Sequence, residues 1–154
     1  MRNAIKKEAN SMNCDSLTLL KETSSGCQMG IDSMEQVAEF VEDIKLLKVL
    51  DNYKRKHQDI MTEIRDLLET DGKEPEKPGK LASMMSWVTT EMKLSIENDN
   101  TQVAKVLMDG CNMGIQTLTE KMHQLKNAEK ESVKITESLI ELEKEFHQEL
   151  QRFL

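Results

Sequence analysis

Proline, glycine and aromatic side chains are scarce in this chain, and each shortage excludes something. Two prolines and six glycines among 154 residues leave few helix breakers, and both prolines fall within Thr70–Lys80. One tryptophan, one tyrosine and three phenylalanines make only 3% aromatic content. That is thin material for a sandwich or barrel, whose strands draw on aromatic and β-branched residues. Three cysteines, Cys14, Cys27 and Cys111, cannot form a fully paired disulfide framework, and none has Cys-x-x-Cys spacing. They predict a reducing, cytoplasmic setting. Basic residues are outnumbered 21 to 28, for a net charge of -7 and a pI near 5.1. This balance argues against nucleic acid and anionic membranes as partners. No run approaches the ~20 apolar residues of a membrane span. The first residues, MRNAIKKEANSM, are basic but have no apolar stretch of the secretory-leader kind.

What the chain does have is charge and helical period. Charged residues make up 32% and hydrophobic residues 38%. Mostly apolar residues recur at alternating intervals of three and four, as in Leu46, Leu50, Tyr53, His57, Ile60, Ile64 and Leu67. Such spacing predicts four helices, over about 14–40, 43–69, 101–126 and 129–153. The polar run Asn98 to Thr101 offers an N-cap for the third. Between the second and third lies the loop TDGKEPEKPGK, then a short amphipathic segment with Trp87. The expected fold is all-α, one domain over 13–154 behind a flexible tail at 1–12. Two antiparallel hairpins, 14–69 and 101–154, are joined by a crossover at 70–100 that carries an extra short helix.

Four of the six glycines sit in one phrase written twice, GCQMGI from Gly26 and GCNMGI from Gly110, 84 positions apart. The same shift lays Cys27 on Cys111 and Ile31 on Ile115, while His57 matches His147 at an offset of 90. The chain therefore reads as a duplicated helical hairpin. With Gly26, Gly30, Trp87 and Gly114 in these places, it resembles a bacterial branch of small ferritin-like proteins. The resemblance implies a ferritin-like four-helix bundle. It does not carry over the di-iron site, which needs a Glu from each of two helices and Glu-x-x-His from the other two. Lys54 and Lys144 stand where those glutamates belong, three residues before His57 and His147. Glu120-x-x-His123 matches literally but points away from its helix seam.

Four glycines inside helices cost roughly 2–4 kcal/mol, so the phrase needs an offsetting role. Gly26, Gly30, Gly110 and Gly114 form two small-xxx-small pairs that suit a close helix crossing, with Cys27 and Cys111 as small core residues. A sharper reading makes Cys27, Cys111 and His57, with Glu143 and His147 on a helix flank, a site for zinc, copper or iron, or a reversible disulfide. Met29 and Met113, outward on their helices, would mark a subunit contact, and Met84, Met85 and Trp87 a partner contact. The expectation is a non-catalytic structural or interaction protein with no catalytic residues and no cofactor, forming a homodimer. The alternative is a transition-metal or thiol-redox bundle.

Overall fold

A computed structural model of the chain describes residues 11–72, 88–97 and 99–154. Among them are five α-helices: α1 (Cys14–Ala38), α2 (Ile44–Thr70), α3 (Thr90–Ile96), α4 (Asn100–Gln124) and α5 (Lys130–Leu150). A 3-10 turn, Gln151–Phe153, follows α5, and the described residues contain no strand. The all-α expectation holds, and the four long helices start and stop within a few residues of the periodic stretches.

Local chemistry sets the helix starts. Asn13, Asp43 and Asp99 each stand just ahead of a helix, and each side chain accepts a backbone N–H of the first turn. The four first N–H groups of a helix have no partner inside it, so each such cap removes part of that deficit. The capping residue expected within Asn98 to Thr101 is Asp99. Gly72, at φ +72°, ends the run that follows α2 in a left-handed conformation favourable to glycine.

Hydrogen bonds between helix ends fix the directions. Met12 N–H donates to Asp71 Oδ1 at 2.8 Å, setting the end of α2 beside the start of α1. Glu129 N–H donates to Ser16 Oγ at 2.7 Å, which brings the start of α5 to the same end. At the opposite end, Asn100 Nδ2 donates to Asp43 Oδ2 at 3.3 Å and Thr101 Oγ1 to the Phe153 carbonyl at 3.2 Å. Hence α1 runs with α5, and α2 runs with α4. The end of α2 and the start of α4 therefore lie at opposite ends of the molecule. α1 packs on α2, α4 and α5; α5 also packs on α2 and α4, and α3 lies on α4.

One continuous core fills the space between the long helices. α2 buries Leu46, Leu50, Tyr53, His57, Ile60, Ile64 and Leu68, so its seam differs from the apolar reading only at the last position. α4 departs further. Its apolar three–four line in the sequence runs Ala104, Met108, Cys111, Ile115, Leu118, Met122 and Leu125; Val103, Val106 and Leu107 are buried as well, while Met108, Ile115 and Met122 are only partly so. On α1 and α5 the buried line includes polar residues: Thr23 and Thr136 meet across the core with hydroxyl oxygens 2.8 Å apart.

Candidate functional site

Following the α5 seam by burial gives Ser132, Thr136, Leu139, Glu143, Phe146 and Leu150, spaced four, three, four, three and four. A glutamate thus stands on the inward line of a helix, between Leu139 and Phe146. On α2 the inward line passes through His57, which is fully buried. Among the described residues, His57 is the only buried histidine and Glu143 the only buried acidic residue.

The two meet. His57 Nε2 lies 2.6 Å from Glu143 Oε1, and His57 Nδ1 lies 2.7 Å from the Tyr53 carbonyl oxygen. A carbonyl only accepts, so Nδ1 carries a proton and donates it to Tyr53. One further proton lies between Nε2 and Oε1. The pair is therefore neutral as a whole, either imidazolium with carboxylate or imidazole with carboxylic acid. Burial demands such pairing, because an isolated charge in the core costs several kcal/mol or more. Tyr53 is in turn held by its ring, stacked on Phe146 at 4.7 Å between centroids.

Both core thiols feel the Glu143 charge. Burial, and after it the Glu143 carboxylate, push the Cys27 and Cys111 thiols far above the ordinary 9.0. Both are therefore neutral thiols at physiological pH. A thiolate is the form that binds metal or attacks a disulfide, and neither cysteine is close to becoming one. Cys14 is exposed, and all three are free. Among the described residues, no three His, Cys, Asp or Glu side chains are grouped to hold a metal ion. His57 spends its Nε2 on Glu143 and its Nδ1 on the Tyr53 carbonyl.

The repeated phrases lie at this level. A Cβ built on Gly30 would sit 3.0 Å from His57 Nε2 and 3.7 Å from Glu143 Oε1. One on Gly114 would have only Glu143 side-chain atoms near it, at 4.0 Å, and one on Gly26 only Leu139 and Leu118 side-chain atoms, at 3.6 and 4.0 Å. The nearest neighbours of these three glycines are thus side chains of other helices, not the opposite phrase. The two helices that carry the phrases pack on each other, and the phrases face a space between them. Gly26, Gly30, Gly110 and Gly114 line one cavity of about 190 Å³ between α1 and α4. Its floor is His57 and Glu143, and its walls are mainly apolar.

The sequence candidates divide accordingly. His57, Glu143 and Cys111 come together, and Cys27 is buried nearby within the range of the Glu143 charge. Glu143, expected on a flank, is an inward residue. His147 is half-buried one turn along α5 and does not line the cavity. His57 finds its level with Glu143, 86 positions on, not with His147 at an offset of 90. Met29 and Met113, read as outward, line the cavity, and Met113 is half exposed there. Lys54 reaches Glu35 and Lys144 reaches Glu141 on the surface, so neither supplies a core ligand. Glu120 and His123 are exposed, as their helical angle required. Met84, Met85 and Trp87 lie outside the described residues. No described helix is long and apolar enough to cross a membrane.

Glu143 is what a search for apolar period overlooks. The available signal was the regular four–three spacing from Ser132 to Leu150, legible once polar residues are allowed on a buried line.

The sequence model of a family described as "Domain of unknown function (DUF2383)" matches residues 15–124. That stretch holds both glycine phrases and His57 and ends before α5. No curated protein and no solved structure matches the chain. With well over half its length covered by the match, the chain belongs to the DUF2383 family.

Proposed function

We propose that this protein is a ferritin-like four-helix bundle that binds a small ligand and performs no chemistry on it. Parallel α2 and α4, the end of one and the start of the other at opposite ends of the molecule, support the ferritin-like arrangement. The residues do not fit the di-iron centre of such bundles. One buried carboxylate and one buried imidazole replace a set of four carboxylates and two imidazoles. The observation that carries the binding reading is the cavity floored by the His57–Glu143 pair. The His57 ring on that floor is engaged at both nitrogens, Nδ1 with Tyr53 and Nε2 with Glu143, and burial keeps the Cys111 thiol protonated. The reducing cytoplasm and the homodimer expected from the sequence remain part of this proposal.

A metal-binding or thiol-redox bundle is the second reading, because imidazole, carboxylate and thiol meet at one place. Metal analysis of protein purified without chelators, with an Fe(II) oxidation assay, separates the two. We expect no stoichiometric metal and no oxidation faster than buffer. Zinc, copper or iron recovered at one or more per chain, and lost on His57→Ala, would establish the second reading.

A further inference from the structure

Resting on that binding reading, we propose that the α1–α4 cavity takes a small organic cation: an apolar body of about one ring carrying a protonated amine that reaches Glu143. Three observations define this ligand class. The volume, about 190 Å³, is somewhat larger than the roughly 150 Å³ engineered cavity that binds benzene. The walls are apolar, with Met29, Leu107, Met113, Leu118 and Phe146 among them. Two carboxylates line the cavity, Glu143 at its floor and Glu22, while no lysine or arginine does.

The geometry distinguishes the roles. His57 is fully buried, whereas the Glu143 side chain keeps about 10% of its surface exposed. A carboxylate has four lone-pair positions, and the bond to His57 on Oε1 uses only part of that capacity. Glu143 is the acceptor left facing the space. An amine there gains a charge-assisted hydrogen bond in a water-poor site, where such bonds are short and strong. An anion meets two carboxylates whose cationic partners, Lys121 at Glu22 and the proton that Glu143 shares with His57, are already engaged. The glycines supply the room. A larger residue at 30 meets His57 at once, and one at 114 grows toward Glu143 and across the cavity. This explains why both copies of the phrase keep their second glycine: one clears His57 and the other clears Glu143.

The test uses the full chain with its methionine methyl groups labelled for NMR, titrated with benzylamine, benzyl alcohol and toluene. These probes share a ring and differ in the head group. Benzylamine is expected to shift the Met29 and Met113 methyl signals saturably, about tenfold more tightly than benzyl alcohol, the step from a neutral to a charge-assisted hydrogen bond. Glu143→Gln should abolish that preference while Met29 and Met113 still respond to the ring. Gly114→Leu, which fills the cavity, should abolish all three responses, and unchanged circular dichroism would show each variant folded. Equal binding of amine and alcohol by the wild-type chain overturns the cationic head. No shift at Met29 and Met113 with any probe overturns the site. The non-catalytic reading stands or falls separately, on the metal content and oxidation assay.

Discussion

Gly30 and Gly26 are chemically identical positions in one helix, yet their surroundings predict opposite responses to alanine. Alanine in a helix interior gains about 0.5–1 kcal/mol over glycine. At Gly26 the added methyl makes ordinary contact with Leu139 and Leu118, and at Gly114 with Glu143. Both substitutions should be neutral or stabilising by that amount. At Gly30 the methyl comes to 3.0 Å from His57 Nε2, and the ring is held at both nitrogens. It cannot yield without stretching a bond to Tyr53 or Glu143, so Gly30→Ala should cost about 1–3 kcal/mol, as overpacking does. Urea unfolding of the three variants checks this, and equal midpoints would remove the packing role assigned to Gly30. The two core thiols give a pH prediction. An unfolded chain loses their protons near the ordinary 9.0, while burial and Glu143 keep them protonated in the fold. The folded state then holds more protons above that pH, so stability is full below it and falls as pH rises through and beyond it. The urea midpoint of the wild type should drop more steeply between pH ~8 and ~10 than that of Cys27→Ala. Parallel curves would mean the thiol makes no such contribution.

At the scale of the element, how well each helix could be read follows from what occupies its buried line. α2 was the most legible, because that line is apolar apart from His57 and every residue on it falls in a three–four rhythm. α1 and α5 were legible as helices and, at most apolar positions, in phase: Leu20, Cys27, Ile31 and Met34 of α1 and Leu139, Leu142, Phe146 and Leu150 of α5 are buried. Ser16, Thr23, Ser132, Thr136 and Glu143 are buried there, and a search for apolar residues steps around them to neighbours such as Leu17 and Ile135. Their burial is tolerated because each of Thr23, Thr136 and Glu143 is hydrogen-bonded. α4 was misread for another reason. α1, α5 and α3 all pack on it, so its buried face is wider than a single seam and takes in Val103, Val106 and Leu107. The glycine phrases were read as a close helix crossing. Small residues one turn apart clear a space, and sequence spacing does not say whether a backbone, a side-chain pair or a cavity fills it. Only the meeting of α1 with α2 and α5 assigns that space to His57 and Glu143.

For the whole molecule, the pair joins the two halves of the duplication. His57 belongs to the α1–α2 hairpin and Glu143 to the α4–α5 hairpin, so His57 Nε2 and Glu143 Oε1 each find their partner in the other hairpin. Apolar burial divides the same way: Leu139, Ile140, Leu142, Phe146 and Leu150 of α5 belong to the one core cluster that also holds residues of α1, α2 and α4. The family match ends at residue 124, which invites the question of whether residues up to there fold without α5. They should not. Removing α5 leaves His57 Nε2 with no partner inside an apolar face and exposes five buried side chains' worth of contact surface. At about 1.5–3 kcal/mol for each large apolar side chain, the loss is comparable to the whole 5–15 kcal/mol stability of a typical domain. A chain ending at Gln124 should therefore show weakened helical circular dichroism and no cooperative thermal transition. Supplying residues 125–154 as a separate peptide should restore part of both, since α5 is a single amphipathic helix whose contacts do not depend on chain continuity. A truncated chain that melts cooperatively at the wild-type temperature would show that the matched residues are a self-sufficient unit, and that the His57–Glu143 pair is dispensable to the fold.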